Sequence, residues 1–247
     1  MSFFSDSYRV ALSDIYYMKR NIVPLLATSL VTPLLYLVAF GYGLGDGVTM
    51  SGVSYIAYMI PGVVALTTLT SSFTTIANKL MVQKRFYESF DEMLLCPISK
   101  ASVIFGKSIL GIMKGMICSF ILLIMGYFMT TDLQITPMLI LMIFLSCLVF
   151  SLLGVAAGMI VSDIPRMNMF NSLVILPMTF LCGTMFSLDA LPGAVNAFIG
   201  VLPLTQTSSC IRACALGWDF PIVSLVVLLA YGVAFYLLGL WGLRNSN

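Results

Sequence analysis

Few residues of this chain could do chemistry, and the first candidate is a stretch that approximates a phosphate-binding loop. Ala101–Ser108 matches that pattern except that alanine stands at the position of the first glycine. Val103, Ile104 and Phe105 are unsuited to a loop whose backbone amides must wrap a phosphate, and no strand precedes them. Because the stretch opens an apolar helix instead, we predict that it binds no nucleotide.

Other catalytic chemistry has equally little support. The chain has no histidine, its six cysteines show no paired CxxC spacing, and no carboxylate lies in the middle of a long apolar stretch. We therefore predict neither an enzyme nor a cofactor in this chain. Cys210 and Cys214 lie one helical turn apart, and two alternatives remain: they pair in an oxidising compartment, or they are small buried hydrophobes.

The composition indicates what must position any functional residue. With 60% hydrophobic and 9% charged residues, the chain lies far outside the range of soluble domains. Crossing a hydrocarbon core of about 30 Å takes about 20 apolar residues. The sequence predicts an all-α integral membrane protein, a single domain over residues 1–247, with six transmembrane helices at about 22–42, 54–78, 102–129, 137–161, 169–188 and 220–243.

The distribution of lysine and arginine predicts the orientation. Basic residues flank span one, the loop between spans two and three, the loop between spans four and five, and the end of span six. The loops around Asp46 and Asp132 have none, and the loop after span five has only Arg212. Since basic residues favour the cytoplasmic side, both termini are predicted to be cytoplasmic.

Residues 4–20 are predicted to form an amphipathic helix in the membrane interface. Phe4, Tyr8, Leu12 and Ile15 recur at helical spacing and would face the membrane, with Asp6 on the opposite side. The alternative is a frayed polar tail. Asp6 and Asp14 would be unusual in the basic start of a signal peptide, so we expect no cleavage.

The loop between spans two and three contains a second amphipathic segment, residues 83–97. Its acidic side chains Glu88, Asp91 and Glu92 fall at i, i+3 and i+4, while Phe86 and Phe90 belong to the opposite, apolar side. The sequence therefore predicts a cytoplasmic helix with an acidic face. That face either docks a partner or is simply solvated.

Residues 186–220 are too apolar for an ordinary loop, yet prolines and glycines divide them into pieces too short to span. We predict two short re-entrant helices that dip into the outer leaflet and close the outer end of a pathway. The alternative is a hydrophobic loop resting on the bundle.

Two features inside the spans concern packing and charge. Gly111 with Gly115, and Gly154 with Gly158, form small-xxx-small pairs that predict close helix approach. Lys107 and Lys114 lie in span three; we favour snorkelling toward the interface over a role in a pathway. Because no buried acid could bind a coupling ion, an energy source outside the chain is the simpler expectation.

The arrangement resembles the membrane subunits of ABC-2 type exporters over nearly the whole chain. The order of the interfacial helix, six spans and charged cytoplasmic helix is similar. Glu92–Ser99 is similar to the family stretch Glu-x-Leu-Leu-x-x-Pro-(Val/Ile)-Ser, except that one residue, Cys96, stands before the proline where the pattern has two. Gly106-Lys107, Leu176–Phe186, Leu191-Pro192 and Leu202–Thr205 match further family features. The size is similar to that of the drug, nodulation-factor and polysaccharide branches.

The resemblance implies a permease half of an ATP-driven exporter in the inner or plasma membrane of a bacterium or archaeon. Its partners would be membrane lipids, a second copy of itself and two cytoplasmic ABC ATPase subunits that bind ATP and magnesium; no nucleic-acid partner is expected. The cargo would be amphiphilic, lipid-linked or polymeric. The alternative is a secondary carrier or membrane scaffold without an ATPase.

The resemblance also assigns two sets of site residues. The ATPase-docking residues of the coupling helix would be Arg85, Phe86, Glu88, Phe90, Asp91, Glu92, Leu94, Leu95 and Pro97. The outer gate of the re-entrant region would consist of Phe186, Leu191, Pro192, Pro203, Leu204 and Thr205.

Overall fold

A computed structural model of the chain describes most of its residues and shows an α-helical bundle. The described residues are 3–44, 49–50, 52–85, 98–130, 132–161, 163–181, 183 and 199–244. The helices are α1 (Phe3–Arg20), α2 (Ile22–Leu44), α3 (Tyr55–Arg85), α4 (Lys100–Met129), α5 (Pro137–Ile160), α6 (Ile164–Phe170), α7 (Leu176–Leu181), α8 (Pro203–Leu216) and α9 (Ile222–Arg244), with a π-helical segment at Asn171–Ile175 and an antiparallel pair of two-residue strands, β1 (Thr49–Met50) and β2 (Val53–Ser54).

Five helices are long and apolar enough to cross a membrane: α2, α3, α4, α5 and α9. Their ends agree with the predicted first, third, fourth and sixth spans to within two residues. Helix α3 continues seven residues past the predicted end of the second span at residue 78, to Arg85. Lys79 and Lys84 stay within the helix since Asp14 Oδ1 lies 2.9 Å from Lys79 Nζ and the Met159 carbonyl accepts a hydrogen bond of 3.1 Å from Lys84.

The predicted fifth span, 169–188, differs from the structure in its start and its continuity. The helical run begins at Ile164 and consists of α6, the π-helical segment and α7 in direct succession. A π-helical turn inserts an extra residue into the hydrogen-bonding ladder and so divides the run. Residues 182 and 184–188 of the predicted span lie outside the described residues.

The core lies around α3, which packs against α4 and α5. Of the apolar stretch of α3, 89% is buried in the protein, against 11% for α2 and for α9. Phe73 of α3 and Phe150 of α5 are fully buried in the main cluster, and Phe73 stacks on Phe170 with ring centroids 5.8 Å apart. The outer helices α2 and α9 instead expose Val31, Leu35 and similar side chains, as lipid-facing helices do.

The predicted close approach of helices at the glycine pairs is confirmed. A Cβ atom on Gly111 would lie 2.5 Å from Ser151 Oγ and 2.7 Å from Ile76 Cγ1, and one on Gly154 would lie 2.9 Å from the Phe73 carbonyl oxygen. The approach lets Ser72 Oγ donate a hydrogen bond of 3.0 Å to the Gly111 carbonyl. Small residues therefore fix the spacing of α3, α4 and α5.

The bundle has two distinct ends, set by contacts at opposite ends of α3. Lys79 lies beside α1, whereas the Tyr58 carbonyl accepts a 3.4 Å hydrogen bond from Arg212 of α8. These residues are 21 positions apart, about 32 Å along a helix. We call these the α1 end and the α8 end; α9 finishes at the α1 end, where Lys100 Nζ donates to the Leu243 carbonyl (3.4 Å).

Candidate functional site

A buried ion-pair cluster lies at the α1 end and joins three helices. Asp14 of α1 is 1% exposed, and its Oδ1 lies 2.9 Å from Lys79 Nζ of α3. Its Oδ2 lies 3.3 Å from Lys107 Nζ of α4, which also donates a 3.0 Å hydrogen bond to Gln83 Oε1. The Lys79 ammonium stands 4.0 Å above the centre of the Tyr17 ring. We call Asp14, Tyr17, Lys79, Gln83 and Lys107 the Asp14 cluster.

The face of α1 that packs on the bundle carries Asp6 and Asp14. Asp6 and Asp14 are buried, whereas Tyr8, predicted for the membrane-facing side, is 58% exposed. The close fit occurs at Gly106, where an added Cβ would lie 2.7 Å from Val10 Cβ. Pairing with lysines of other helices accounts for the burial of Asp14, and helical spacing within α1 cannot reveal it.

Lys107 and Lys114 do not snorkel, so that prediction is wrong. They are 4% and 5% exposed, respectively. Lys107 is held by Asp14 and Gln83, and Lys114 donates a 2.9 Å hydrogen bond to Thr75 Oγ1. Lys114 lies 14 residues into α4, about 21 Å from its start, which is deep inside the bundle. Both ammonium groups therefore have polar partners within the protein.

A cavity of about 720 Å³ lies next to the Asp14 cluster, between α2 and α3. Its walls mix hydroxyl, amide and ammonium groups with two aliphatic side chains, and α1 and α4 contribute one residue each. We call it the α2–α3 cavity; its lining is Tyr17, Leu25, Thr28, Ser29, Thr74, Thr75, Asn78, Lys79, Val82, Gln83 and Lys114.

A smaller cavity of about 160 Å³ continues the polar surface toward the α8 end. It shares Thr28, Ser29 and Thr74 with the larger cavity and reaches Leu66 of α3. From Lys79 to Leu66 the helix rises about 20 Å. Hydroxyl side chains therefore form a seam between α2 and α3 over much of the bundle. The seam consists of Thr28, Ser29, Thr32, Thr70, Ser71, Thr74 and Thr75.

At the α8 end a buried arginine ties three parts of the chain together. Arg212 donates hydrogen bonds to the carbonyls of Tyr58 (3.4 Å) and Gly183 (3.1 Å), and its guanidinium lies 3.9 Å from the centre of the Tyr58 ring. Helix α8 has 14 residues, too few to span, and its side chains are mostly buried. It is a short helix packed within the bundle.

The predicted gate and docking residues are only partly visible. Pro203, Leu204 and Thr205 begin α8 and are buried, with Thr205 Oγ1 donating to the Ile199 carbonyl (2.7 Å). Arg85 is the last residue of α3. The remaining predicted site residues lie outside the described residues: Phe86, Glu88, Phe90, Asp91, Glu92, Leu94, Leu95, Pro97, Phe186, Leu191 and Pro192.

Cys210 and Cys214 are free, buried thiols on α8, which favours the alternative of small hydrophobic residues. Burial raises the pKa of Cys210 to about 12 and also raises that of Cys214. A thiol with a raised pKa is almost entirely protonated at neutral pH, and the thiolate is the nucleophile. These cysteines are therefore packing groups in this state of the protein.

Variants that keep only Cys210 or only Cys214 are expected to react slowly with a membrane-impermeant maleimide at pH 7 in the folded protein. Denaturation in dodecyl sulfate should restore rapid labelling. The control is a variant whose single cysteine replaces the exposed Asp132. Labelling of the α8 thiols as fast as the control would show that they are accessible.

Chemically, the lining of the α2–α3 cavity suits the binding of a polar group. The α2–α3 cavity offers ammonium, amide and hydroxyl groups, and among the described residues no group of three metal-ligating side chains comes together. Ala101–Ser108, the phosphate-loop lookalike, lies in and around the first turns of the continuous helix α4. The Ser102 amide donates to the side chain of the N-cap residue Ser99, and the Val103 amide donates to the Ser99 carbonyl, as in a helix start.

Comparison with known proteins identifies the family. The model of the ABC-2 type transporter family matches residues 15–216. The chain belongs to the ABC-2 type transporter family. The match begins one residue after Asp14 and ends at the last residue of α8, so it covers the cavity, the seam and the buried arginine.

Individual members of the family resemble the chain along most of its length. The inner membrane transport permease YadH of Escherichia coli is 26% identical over 229 residues, which cover 91% of this chain and 89% of YadH. Nodulation protein J of Bradyrhizobium diazoefficiens is 30% identical over 190 residues, which cover 74% of this chain and 71% of that protein. Nodulation protein J of Rhizobium meliloti is 28% identical over 198 residues, which cover 76% of this chain and 73% of that protein.

The family and the five long apolar helices establish this ABC-2 permease as a multi-pass membrane component of a transport system. Such permeases work with an ABC ATPase subunit, as the family name implies. Sequence reasoning missed Asp14, Lys79 and Arg212 as structural partners. One signal was available for Asp14: the two lysines inside one apolar helix need a counter-charge, and the chain has only ten Asp and Glu residues to supply it.

Proposed function

We propose that this chain is the transmembrane half of an ATP-driven exporter. The family match over residues 15–216 carries the proposal. Two copies would form the pathway, and two separate ATPase subunits would supply the energy. The cargo would be amphiphilic, lipid-linked or polymeric, in keeping with a relative named a nodulation protein and another named a transport permease.

The positions of the end of α5 and of Gly183 support a sixth crossing of the membrane. Helix α5 finishes at the α1 end, where the Met159 carbonyl meets Lys84, while Gly183 lies at the α8 end against Arg212. The chain therefore travels the length of the bundle between residues 160 and 183. The run of α6, the π-helical segment and α7 would make this crossing. With six crossings, both termini would lie on the same side of the membrane.

Docking of the ATPase is proposed at the α1 end, which would face the cytoplasm by the basic-residue rule. Helix α3 finishes at Arg85 and α4 begins at Lys100, so residues 86–97 are attached to this end on both sides. Glu88, Asp91 and Glu92 would meet basic residues of the ATPase. Helix α1 would offer the ATPase subunit a second contact. It would transmit the movement of the ATPase to α3 and α4 through the Asp14 cluster.

The competing function, a secondary carrier, would need a carboxylate that binds and releases a coupling ion. The five long helices carry no Asp or Glu. Among the described residues the buried carboxylates are Asp6 and Asp14, both on α1 at one end of the bundle. Asp14 is engaged by two ammonium groups, which suits a structural ion pair better than a coupling site.

The test is transport by the permease and its ATPase in sealed vesicles. Substrate movement is expected when ATP is supplied on the ATPase side and should continue after a protonophore collapses the pH gradient. Replacing Glu88, Asp91 and Glu92 by lysine should abolish ATP-driven transport while the permease stays in the membrane, because like charges then face each other at the docking surface. Transport driven by a pH or sodium gradient without nucleotide would refute the exporter.

A further inference from the structure

We propose that the α2–α3 cavity binds the anionic group of the transported amphiphile, held by Lys114 and Lys79. The inference rests on the proposed transport function, since it names the chemical class of the cargo. The binding experiment below uses no nucleotide and no gradient, so its outcome is independent of what drives transport.

Lys114 is the main reason to expect an anion. Its side chain lines the cavity, the residue is 5% exposed, and its ammonium donates to Thr75 Oγ1 at 2.9 Å. Among the residues the structure describes, no carboxylate lies within 4.0 Å of Lys114 Nζ. A buried charge that lacks a counter-charge is costly. An anion in the cavity would supply that counter-charge.

Lys79 adds a second cation to the same wall. Lys79 and Lys107 share the single carboxylate of Asp14, and Lys114 on the same cavity wall has no carboxylate within 4.0 Å among the described residues. Lys79 lines the cavity directly. The cavity wall therefore carries more positive charge, from Lys79 and Lys114, than the carboxylate of Asp14 can balance.

The hydrogen-bonding groups of the wall agree with this charge. Gln83 Oε1 accepts from Lys107, which leaves the amide Nε2 as the donor that Gln83 can offer. The hydroxyls of Thr28 and Thr75 donate to carbonyls of their own helices at 2.9 and 2.6 Å. The two ammonium groups and the side-chain amides of the lining are donors of the kind that binds phosphate or carboxylate oxygens.

The size and surroundings of the cavity favour an amphiphile over a small free anion. Its volume of about 720 Å³ is in the range of sites for whole organic ligands, and Leu25 and Val82 contribute apolar wall. Helix α2 beside it exposes the apolar side chains Val23, Val31 and Leu35. A ligand with its anionic head in the cavity could keep its tail along α2 in hydrocarbon.

The experiment measures binding of dodecyl phosphate to the full-length permease in a neutral maltoside detergent, by calorimetry. Dodecyl phosphate should bind, and Lys114→Met should weaken binding about tenfold or more, because a charge-assisted contact is lost. Lys114→Arg should retain much of the affinity. The matched control is Lys19→Met, which removes an exposed lysine of α1 outside the cavity.

A second measurement separates binding from folding. Lys114→Met should raise the thermal unfolding midpoint of the ligand-free protein, since it removes an uncompensated buried charge, while dodecyl phosphate should stabilise this variant less than the unsubstituted protein. Inorganic phosphate should bind far more weakly than dodecyl phosphate. Equal affinity for the two would overturn the assignment to an amphiphile, because the apolar tail would then contribute nothing to binding.

Two further results would overturn the proposal. One is unchanged dodecyl phosphate affinity in Lys114→Met, which would make Lys114 a packing residue. The other is equally tight binding of dodecyl trimethylammonium, which would show that the cavity does not select negative charge.

Discussion

Replacing Asp14 with asparagine is expected to destabilise the permease by about 3–5 kcal/mol, the largest effect among the substitutions predicted here. The change leaves Lys79 and Lys107 buried with no carboxylate between them, although Asp14 Oδ1 lies 2.9 Å from one ammonium and Oδ2 lies 3.3 Å from the other. Asparagine has nearly the same shape, so the loss would come from charge and not from packing.

Thermal unfolding of the purified protein in detergent and its yield in membranes would measure this effect. Asp132→Asn is the matched control, because Asp132 is exposed and the chemical change is identical. Adding Lys107→Met to Asp14→Asn should recover part of the loss by removing one uncompensated ammonium. If Asp14→Asn behaves like Asp132→Asn, the Asp14 cluster contributes nothing to stability.

Replacing Gly111 with alanine is expected to give the second large effect, about 1–3 kcal/mol of destabilisation. The new methyl group would lie 2.5 Å from Ser151 Oγ, 2.7 Å from Ile76 Cγ1 and 3.0 Å from the Ser72 carbonyl oxygen. Helices α3 and α5 would have to move away from α4. That movement would also stretch the 3.0 Å hydrogen bond from Ser72 Oγ to the Gly111 carbonyl.

Gly239→Ala is the control for this prediction. Gly239 lies inside α9, and an added Cβ would meet its nearest neighbours at 3.6–4.0 Å, which is ordinary contact. Both changes gain the same helix propensity, about 1 kcal/mol, so any difference between them reports packing. Thermal midpoints of the two variants should move in opposite directions; a joint rise would contradict the tight approach of α3, α4 and α5.

Long apolar helices were predictable because hydrocarbon thickness imposes their length. The ends of α2, α4, α5 and α9 agree with the sequence prediction to within two residues. The end of α3 was not predictable in the same way. A lysine at the end of a span looks the same in sequence whether it lies in a loop or is paired inside a helix, and Lys79 is paired.

The glycine pairs and the rejected phosphate loop could also be predicted, since both depend on residues close together in sequence. The Asp14 cluster could not. Asp14 and Lys107 are 93 positions apart, and no local pattern links them. Asp6 and Asp14 looked like polar residues of an interfacial helix, and the two lysines of α4 looked like snorkelling side chains. Only tertiary packing joins these groups in one site.

The hydroxyl seam has a mechanical consequence. Thr28, Thr70 and Thr75 donate to carbonyls of their own helices. Within the described part of the chain, the hydrogen bonds of α2 stay inside that helix or run to Asn21 just before it. Sliding α2 along α3 would therefore break no hydrogen bond between them in this part of the chain. Close contacts at glycines hold α3, α4 and α5 together. Sliding of helices in the bundle is therefore expected at the boundary between α2 and α3.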